Sequence, residues 1–255
     1  MARDPANMSV VITGAGSGIG AATARQFVEH GALVTICGQR ADRIEAVASE
    51  LGPRCRAVIA DVTVDADRRA LVDTALEHGR GCLDVLVNNA GIMYRGPVEE
   101  LAEPKLLEVF NVNVVGPMLL TGLAVEALAT TAGCVVFIGS VHTQRAFPGA
   151  SPYAATKGAI ETLTAVLAAE LGPRGVRVGC VRPGAVSTEL YVRAGLSTAE
   201  EAEARLAGLA GSHALGRIGT ATEVAEAIEH LAVSEWTTGS VLTVDGGLGL
   251  GVTNT

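Results

Sequence analysis

Apolar, β-branched runs alternate along this chain with stretches whose apolar positions recur at helical spacing. The runs are SVVIT (9–13), LVTIC (33–37), CRAVIAD (55–61), LDVLVNN (83–89), GCVVFIGS (133–140), VRVGCVRPG (176–184) and SVLTVDGG (240–247). Between them, helices are predicted from a Gly-rich turn to about residue 30, over 43–51, over 65–79 and over about 104–129. Two more carry Tyr153 and begin near Thr222. Seven strands, six of them followed by helices, predict an α/β fold: a doubly wound, seven-stranded parallel sheet with helices on both faces. No linker, repeat or low-complexity tract interrupts the pattern, so residues 1–255 are expected to form one domain. Residues 187–216 break the alternation. They are polar, Ala-rich and weakly helical, and are expected to form a lid or pocket wall beside the sheet.

Composition narrows the function. Hydrophobic residues make up 49% of the chain but aromatics only 3%, which suits small side chains packing helices closely onto a sheet. The formal charge of −8 argues against nucleic acid or an anionic membrane surface as a partner. Cys37, Cys55, Cys82, Cys134 and Cys180 are widely spaced and sit in or beside apolar runs, so they read as buried thiols. The five histidines are scattered, and no metal site is expected. The N-terminal MARDPANM has no apolar signal region, and the most membrane-like run, VVGPMLLTGLAV (114–125), is too short to span a bilayer. A cytoplasmic location is expected.

The first chemical motif is TGAGSGIG (13–20). It follows the first strand and opens a helix. Gly14, Gly16, Gly18 and Gly20 permit a tight turn and close backbone approach, and the helix N-terminus offers N–H groups to a pyrophosphate. That placement points to a dinucleotide; no G-K-[ST] follows, so it is not a P-loop. The second strand ends in Gly38, Gln39 and Arg40 with no carboxylate to hold adenosine ribose hydroxyls. Arg40 and Arg43 can meet a 2′-phosphate, or can be solvated helix-start residues. The pattern favours NADP(H) and leaves NAD(H) open.

The second motif is SPYAATKGAI (151–160). Seventeen of the 19 basic residues are arginines; the lysines are Lys105 and Lys157. Tyr153 and Lys157 lie one helical turn apart on one face. A phenol titrates near ~10, and a fixed ammonium nearby stabilises its phenolate. A compact lysine also suits ribose hydroxyls, which a planar guanidinium does not. Ser140 ends a strand where ligands of such sheets bind, and its hydroxyl can polarise a carbonyl. Pro117 cannot donate to the carbonyl of Asn113, leaving that oxygen available to a water; alternatively Gly116-Pro117 only bends a packing helix.

With NNAG (88–91), NVNVVG (111–116) and RPGAVST (182–188), these motifs make the chain resemble the short-chain dehydrogenase/reductase family, in its single-domain branch of roughly 250 residues. The resemblance covers essentially the whole chain and implies a Rossmann-like fold. It implies that Tyr153 is the general acid/base, Lys157 its partner and ribose ligand, Ser140 the substrate-orienting hydroxyl, and Asn113 the proton-relay residue, with Asn111 a nearby alternative. It further implies cofactor contacts from Ser17, Ile19, Asp61, Val62, Asn89, Ala90, Gly91, Pro183, Gly184, Val186 and Thr188, with Asn88 bracing the sheet. The cofactor-selecting positions depart from NADP-dependent relatives, because Ala15 and Ser17 fill the turn and Gln39 takes the strand tip.

The implied reaction is hydride transfer between a nicotinamide and a carbonyl or secondary alcohol of a small molecule. Reduction of an imine or C=C bond is an alternative, and a non-catalytic dinucleotide-binding protein is a remoter one. Tyr94, His142, Gln144 and Tyr191 are candidate substrate contacts, with Arg145, Glu189, Leu190 and Arg193 nearby in sequence. The helices near 114–125 and 159–171 are apolar around most of their circumference, so a homodimer or homotetramer is expected.

Overall fold

The computed structural model describes residues 3–187, 190, 195–196 and 198–251. Its strands are β1 (Ser9–Thr13), β2 (Leu33–Gly38), β3 (Cys55–Ile59), β4 (Val85–Asn88), β5 (Cys134–Ile138), β6 (Arg177–Pro183) and β7 (Val241–Val244). All seven pair in parallel, in the order β3-β2-β1-β4-β5-β6-β7. The helices are α1 (Gly18–Glu29), α2 (Ala41–Leu51), α3 (Asp65–His78), α4 (Glu103–Phe110), α5 (Gly116–Thr130), α6 (Ser151–Leu171), α7 (Ala199–Leu209) and α8 (Ala221–Val233).

The strands read as continuous apolar runs because both faces are covered. Alternation along each strand then divides the core in two. Val10 and Ile12 of β1, with Val85 and Val87 of β4, face the side that holds Ala24 and Phe27 of α1, Ile44 of α2 and Ile228 of α8. Val11 and Leu86 face the opposite side, with Leu71 of α3, Leu120 and Leu128 of α5 and Ile160 of α6. Arg177 of β6 is buried and donates to the carbonyls of Leu231 and Ser234, closing the C-terminal end of α8.

The helix expected over about 104–129 is two α-helices joined by a π turn at Asn111–Val115. Gly116 N–H donates to the Asn111 carbonyl, five residues back, and Pro117 enters in the first turn of α5. The extra residue lets the helix pass a proline that cannot close the ordinary bond to residue 113. This corrects the length assigned to the apolar run. The helical path Glu103–Thr130 covers 28 residues and is long and apolar enough to cross a membrane by length and composition, although 44% of its most apolar window is buried in the protein. The 187–216 excursion contains α7, opened by a capping box between Thr198 and Glu201.

All five cysteines are free thiols, and burial pushes those of Cys37, Cys55 and Cys180 up to about 12 and that of Cys134 to about 11, against an ordinary 9.0. The unfolded chain releases these protons above about pH 9 while the folded chain keeps them, so stability falls as pH rises from there. Lys157 works the other way: burial lowers it from 10.5 to about 8, so the unfolded chain holds an extra proton between those values. Four groups oppose one. Tm in reducing buffer is expected to fall steadily above about pH 9, and Cys134→Val to flatten the fall; a Tm that holds or rises to pH 10.5 would contradict this.

Candidate active site

The site grows from a topological switch. From β1 the chain moves outward through β2 and β3, then returns to place β4 on the other side of β1. The turns leaving β1 and β4 therefore diverge and open a crevice at their C-terminal ends. Asn89 pins its two lips. Its amide Nδ2 donates to the Thr13 and Gly14 carbonyls at 2.9 and 3.2 Å. Thr13 Oγ1 in turn accepts from the backbone N–H groups of Asn89 and Ala90 at 3.0 and 2.9 Å. A Cβ on Gly14 would stand 2.7 Å from Ala90 Cα, and Gly14 has φ +65°, so glycine is required there on both counts.

A cavity of about 250 Å³ runs from this crevice to Tyr153 and Lys157. Its walls include Gly14, Gly16, Ser17, Gly18 and Ile19 of the turn, Gly38, Gln39 and Arg40 at the β2 tip, Val62, and Asn89, Ala90 and Gly91. Ser17 caps α1 without using its side chain on the helix, and Ser17, Gly18 and Ile19 at the helix N-terminus line the cavity. A glycine cradle, a helix N-terminus and a buried lysine fit a dinucleotide with its pyrophosphate on the turn.

Lys157 is buried, and its ammonium donates to the Ile138 carbonyl at 2.7 Å. Nζ lies 5.5 Å from the centre of the Tyr153 ring. Desolvation lowers its pKa to about 8, opposed by the nearby Cys180 thiol and Glu161 carboxylate, so it remains mostly charged at neutral pH. Tyr153 lies in the first turn of α6, and Ser140 follows β5; both are buried. Behind Ser140, the Thr143 hydroxyl lies 2.8 Å from both the Ser140 carbonyl and Glu161 Oε1. Arg182 of β6 grips both oxygens of Glu161 at 2.8 and 2.7 Å. The turn carrying Ser140 is thereby bolted to α6 and β6.

Asn113 sits in the π turn and is buried. Its Oδ1 accepts from Ile92 N–H, while Nδ2 lies 2.9 Å from the Ile92 carbonyl and 3.1 Å from Thr156 Oγ1. The side chain thus ties the segment after β4 to α6 beside Lys157. A Cβ on Gly91 would meet Asn113 Oδ1 at 3.3 Å and Lys157 Nζ at 3.8 Å, so these groups converge under the cavity.

Other expected residues fall elsewhere. Gly20 does not line the cavity; a Cβ there would strike Asn89 Nδ2 at 2.5 Å, so it serves close packing. Asp61 lies beside Val62, but its Oδ1 accepts from Thr63 N–H and Oγ1 at 2.8 and 2.7 Å. Asn88 Nδ2 donates to Thr121 Oγ1, joining β4 to α5. Pro183 ends β6, Gly184 packs on Asp245, and Val186 bridges Gly219 and lines a second cavity of about 210 Å³. The Tyr94 hydroxyl accepts from Ala102 N–H, and Gln144 is exposed near Gly249, so neither lines the cavity. Thr188, Glu189, Tyr191 and Arg193 lie outside the described residues. Ile92, Glu108 and Ile138 line the cavity without having been singled out by sequence, because only chain packing brings them there, and Val112 of NVNVVG joins them. Leu190 lines it too.

A family profile described as enoyl-(acyl carrier protein) reductase matches residues 14–249. The chain is 40% identical over 248 residues to an L-fucose dehydrogenase from Bos taurus, covering 95% of this chain and 89% of the relative. Among solved structures, a short chain dehydrogenase/reductase family protein superimposes with a TM-score of 0.84 at 33% identity, covering 96% of this chain and 98% of the other. A 3-ketoacyl-(acyl-carrier-protein) reductase from Brucella melitensis, complexed with NADH, does so with a TM-score of 0.88 at 31% identity, covering 96% and 99%.

Asn113→Leu removes the partners of the Ile92 N–H and carbonyl together. It is expected to cost about 2–4 kcal/mol in denaturant unfolding, whereas Asn111→Ala, at an exposed position, is expected to cost under about 1 kcal/mol.

Proposed function

The chain belongs to the short-chain dehydrogenase/reductase family and is an oxidoreductase that moves hydride between a nicotinamide and a CH–OH or C=O carbon; we propose that it uses NADP(H) to interconvert a ketone and a secondary alcohol, with Tyr153 moving the proton. The bound nicotinamide supplies or takes the hydride. The observation that carries the proton assignment is the buried, charged Lys157 held beside the Tyr153 ring. A cation in that low-dielectric position stabilises tyrosinate, so Tyr153 can release its proton to a ketone oxygen and take one from an alcohol. Ser140, with Thr143 and Glu161 fixing its turn, orients the substrate oxygen. Asn113 anchors the cavity wall at Ile92 and stands next to Lys157 on the proton's way out.

The preference for NADP(H) rests on the β2 tip. No carboxylate stands there to repel a 2′-phosphate, and Arg40 Nη2 reaches Ser17 Oγ at 3.3 Å, spanning tip and Gly-rich turn. Arg43 lies 3.8 Å from Asp42 and is half exposed, which favours Arg40 over Arg43 as the phosphate ligand. The five free thiols support a reducing, cytoplasmic location. Assembly into a homodimer or homotetramer rests on apolar side chains left exposed along α4, the π turn, α5 and α6: Leu107, Val115, Met118, Leu119 and Val166.

Nicotinamide-fluorescence titration is expected to show tighter binding of NADPH than NADH. Arg40→Ala is expected to weaken NADPH about 10–100-fold while leaving NADH within a few-fold; equal losses for both would remove the selectivity assignment. Tyr153→Phe is expected to lose about 10²–10⁴-fold in kcat with cofactor affinity kept; full turnover would sink the proton-transfer role. Light scattering is expected to show a dimer or larger, and Leu119→Glu to shift it toward monomer.

A further inference from the structure

His142 follows Ser140 by two residues, and its ring is held against both reacting side chains. Nδ1 lies 3.0 Å from Ser140 Oγ. The ring packs on Phe147 at 4.4 Å between centroids and meets Tyr153 edge to face at 5.2 Å and 84°. The chain has only four phenylalanines, three tyrosines and one tryptophan, yet two of these eight clamp this one imidazole. Ring rotation is restricted from both sides, so Nδ1 stays on the Ser140 hydroxyl. The turn beneath is equally fixed, through Thr143 and the Glu161–Arg182 pair.

The Ser140 hydroxyl has one proton and two lone pairs. One lone pair faces the His142 backbone N–H at 3.3 Å. What the rest can do depends on which nitrogen of His142 carries the proton. With Nδ1 protonated, the imidazole donates to Ser140, both lone pairs are taken, and the hydroxyl can only donate outward, as a ketone oxygen requires. With Nδ1 bare, Ser140 donates to the ring and its proton is withdrawn from the substrate oxygen. We propose that His142 is a positioning residue whose Nδ1–H holds Ser140 as a donor toward the substrate oxygen, the role the shared transition state requires in both directions because Tyr153 takes the alcohol's only hydroxyl proton. This rests on Ser140 and Tyr153 forming the site as read above.

The test has two arms. Ring ¹⁵N shifts of His142 in the full-length protein, assigned by loss of the signal in His142→Asn, report the Nδ1 proton without any substrate. Ser140→Ala is expected to move the Nδ1 resonance; an Nδ1 signal indifferent to Ser140→Ala would overturn the proposal. The second arm follows NADPH oxidation with 2,3-butanedione as the probe ketone. His142→Leu is expected to lose at least tenfold in kcat with NADPH affinity and Tm near wild type, and His142→Asn, whose amide can replace Nδ1, to recover most of it. If Tyr153→Phe is inactive but His142→Leu keeps full kcat, the His142 role falls while the active-site reading stands. If Tyr153→Phe keeps full activity, that reading itself falls. If wild type does not turn over this ketone, the ¹⁵N arm decides.

Discussion

The clamp between β1 and β4 is the contact on which the rest of the site depends. Four hydrogen bonds join Asn89 and Ala90 to Thr13 and Gly14 across the two strand ends. The clamp forms where the sheet order reverses, so it holds together two turns that would otherwise diverge. Backbone comes so close there that no side chain fits on Gly14. The glycine turn therefore acquires a defined shape only when β4 is in place. A cradle for phosphates, the cavity floor and the distance from turn to Tyr153 all inherit that geometry.

On this scaffold the protein buries polar groups that would be costly without partners. Lys157, Asn113 and Ser140 are each at most 7% exposed, and each has named partners. Lys157 is the informative case. Desolvation works against its charge, and one carbonyl contact at Ile138 offsets only part of that. A buried ammonium kept charged beside a phenol is a cost a purely structural lysine would avoid. The Glu161–Arg182 pair behind it is better matched, with two short bonds and a hydroxyl from Thr143.

The relatives named above act on different molecules, as their names record: a sugar in one, an acyl carrier-bound ketone in another. Shared architecture with divergent substrates is the expected pattern when chemistry sits on strand ends and selectivity sits on the loops above them. His142 occupies the boundary. It belongs to the turn after β5, yet it touches the serine and tyrosine that would meet the reacting oxygen.

Seven parallel strands and their helical partners were legible in the sequence, because uninterrupted β-branched runs and helical periodicity are local signals. TGAGSGIG and the Tyr153–Lys157 spacing were legible for the same reason: each motif is short and its chemistry follows from residue type. The π turn was not, since Pro117 announces a broken hydrogen bond without saying how the helix absorbs it. Asn113 carried a sequence signal through its carbonyl, whereas its side chain proves to be the anchor, bonding to a segment 21 residues away. The roles of Glu161 and Arg182 and the ring contacts of His142 were silent in the sequence. Each arises where separate elements converge, and no local pattern encodes which side chains packing will bring together. Sequence alone determined which residues were available for chemistry and on which elements they lie. Tertiary structure decided which of them meet, because hydrogen bonds and ring contacts depend on distances that only the folded sheet sets.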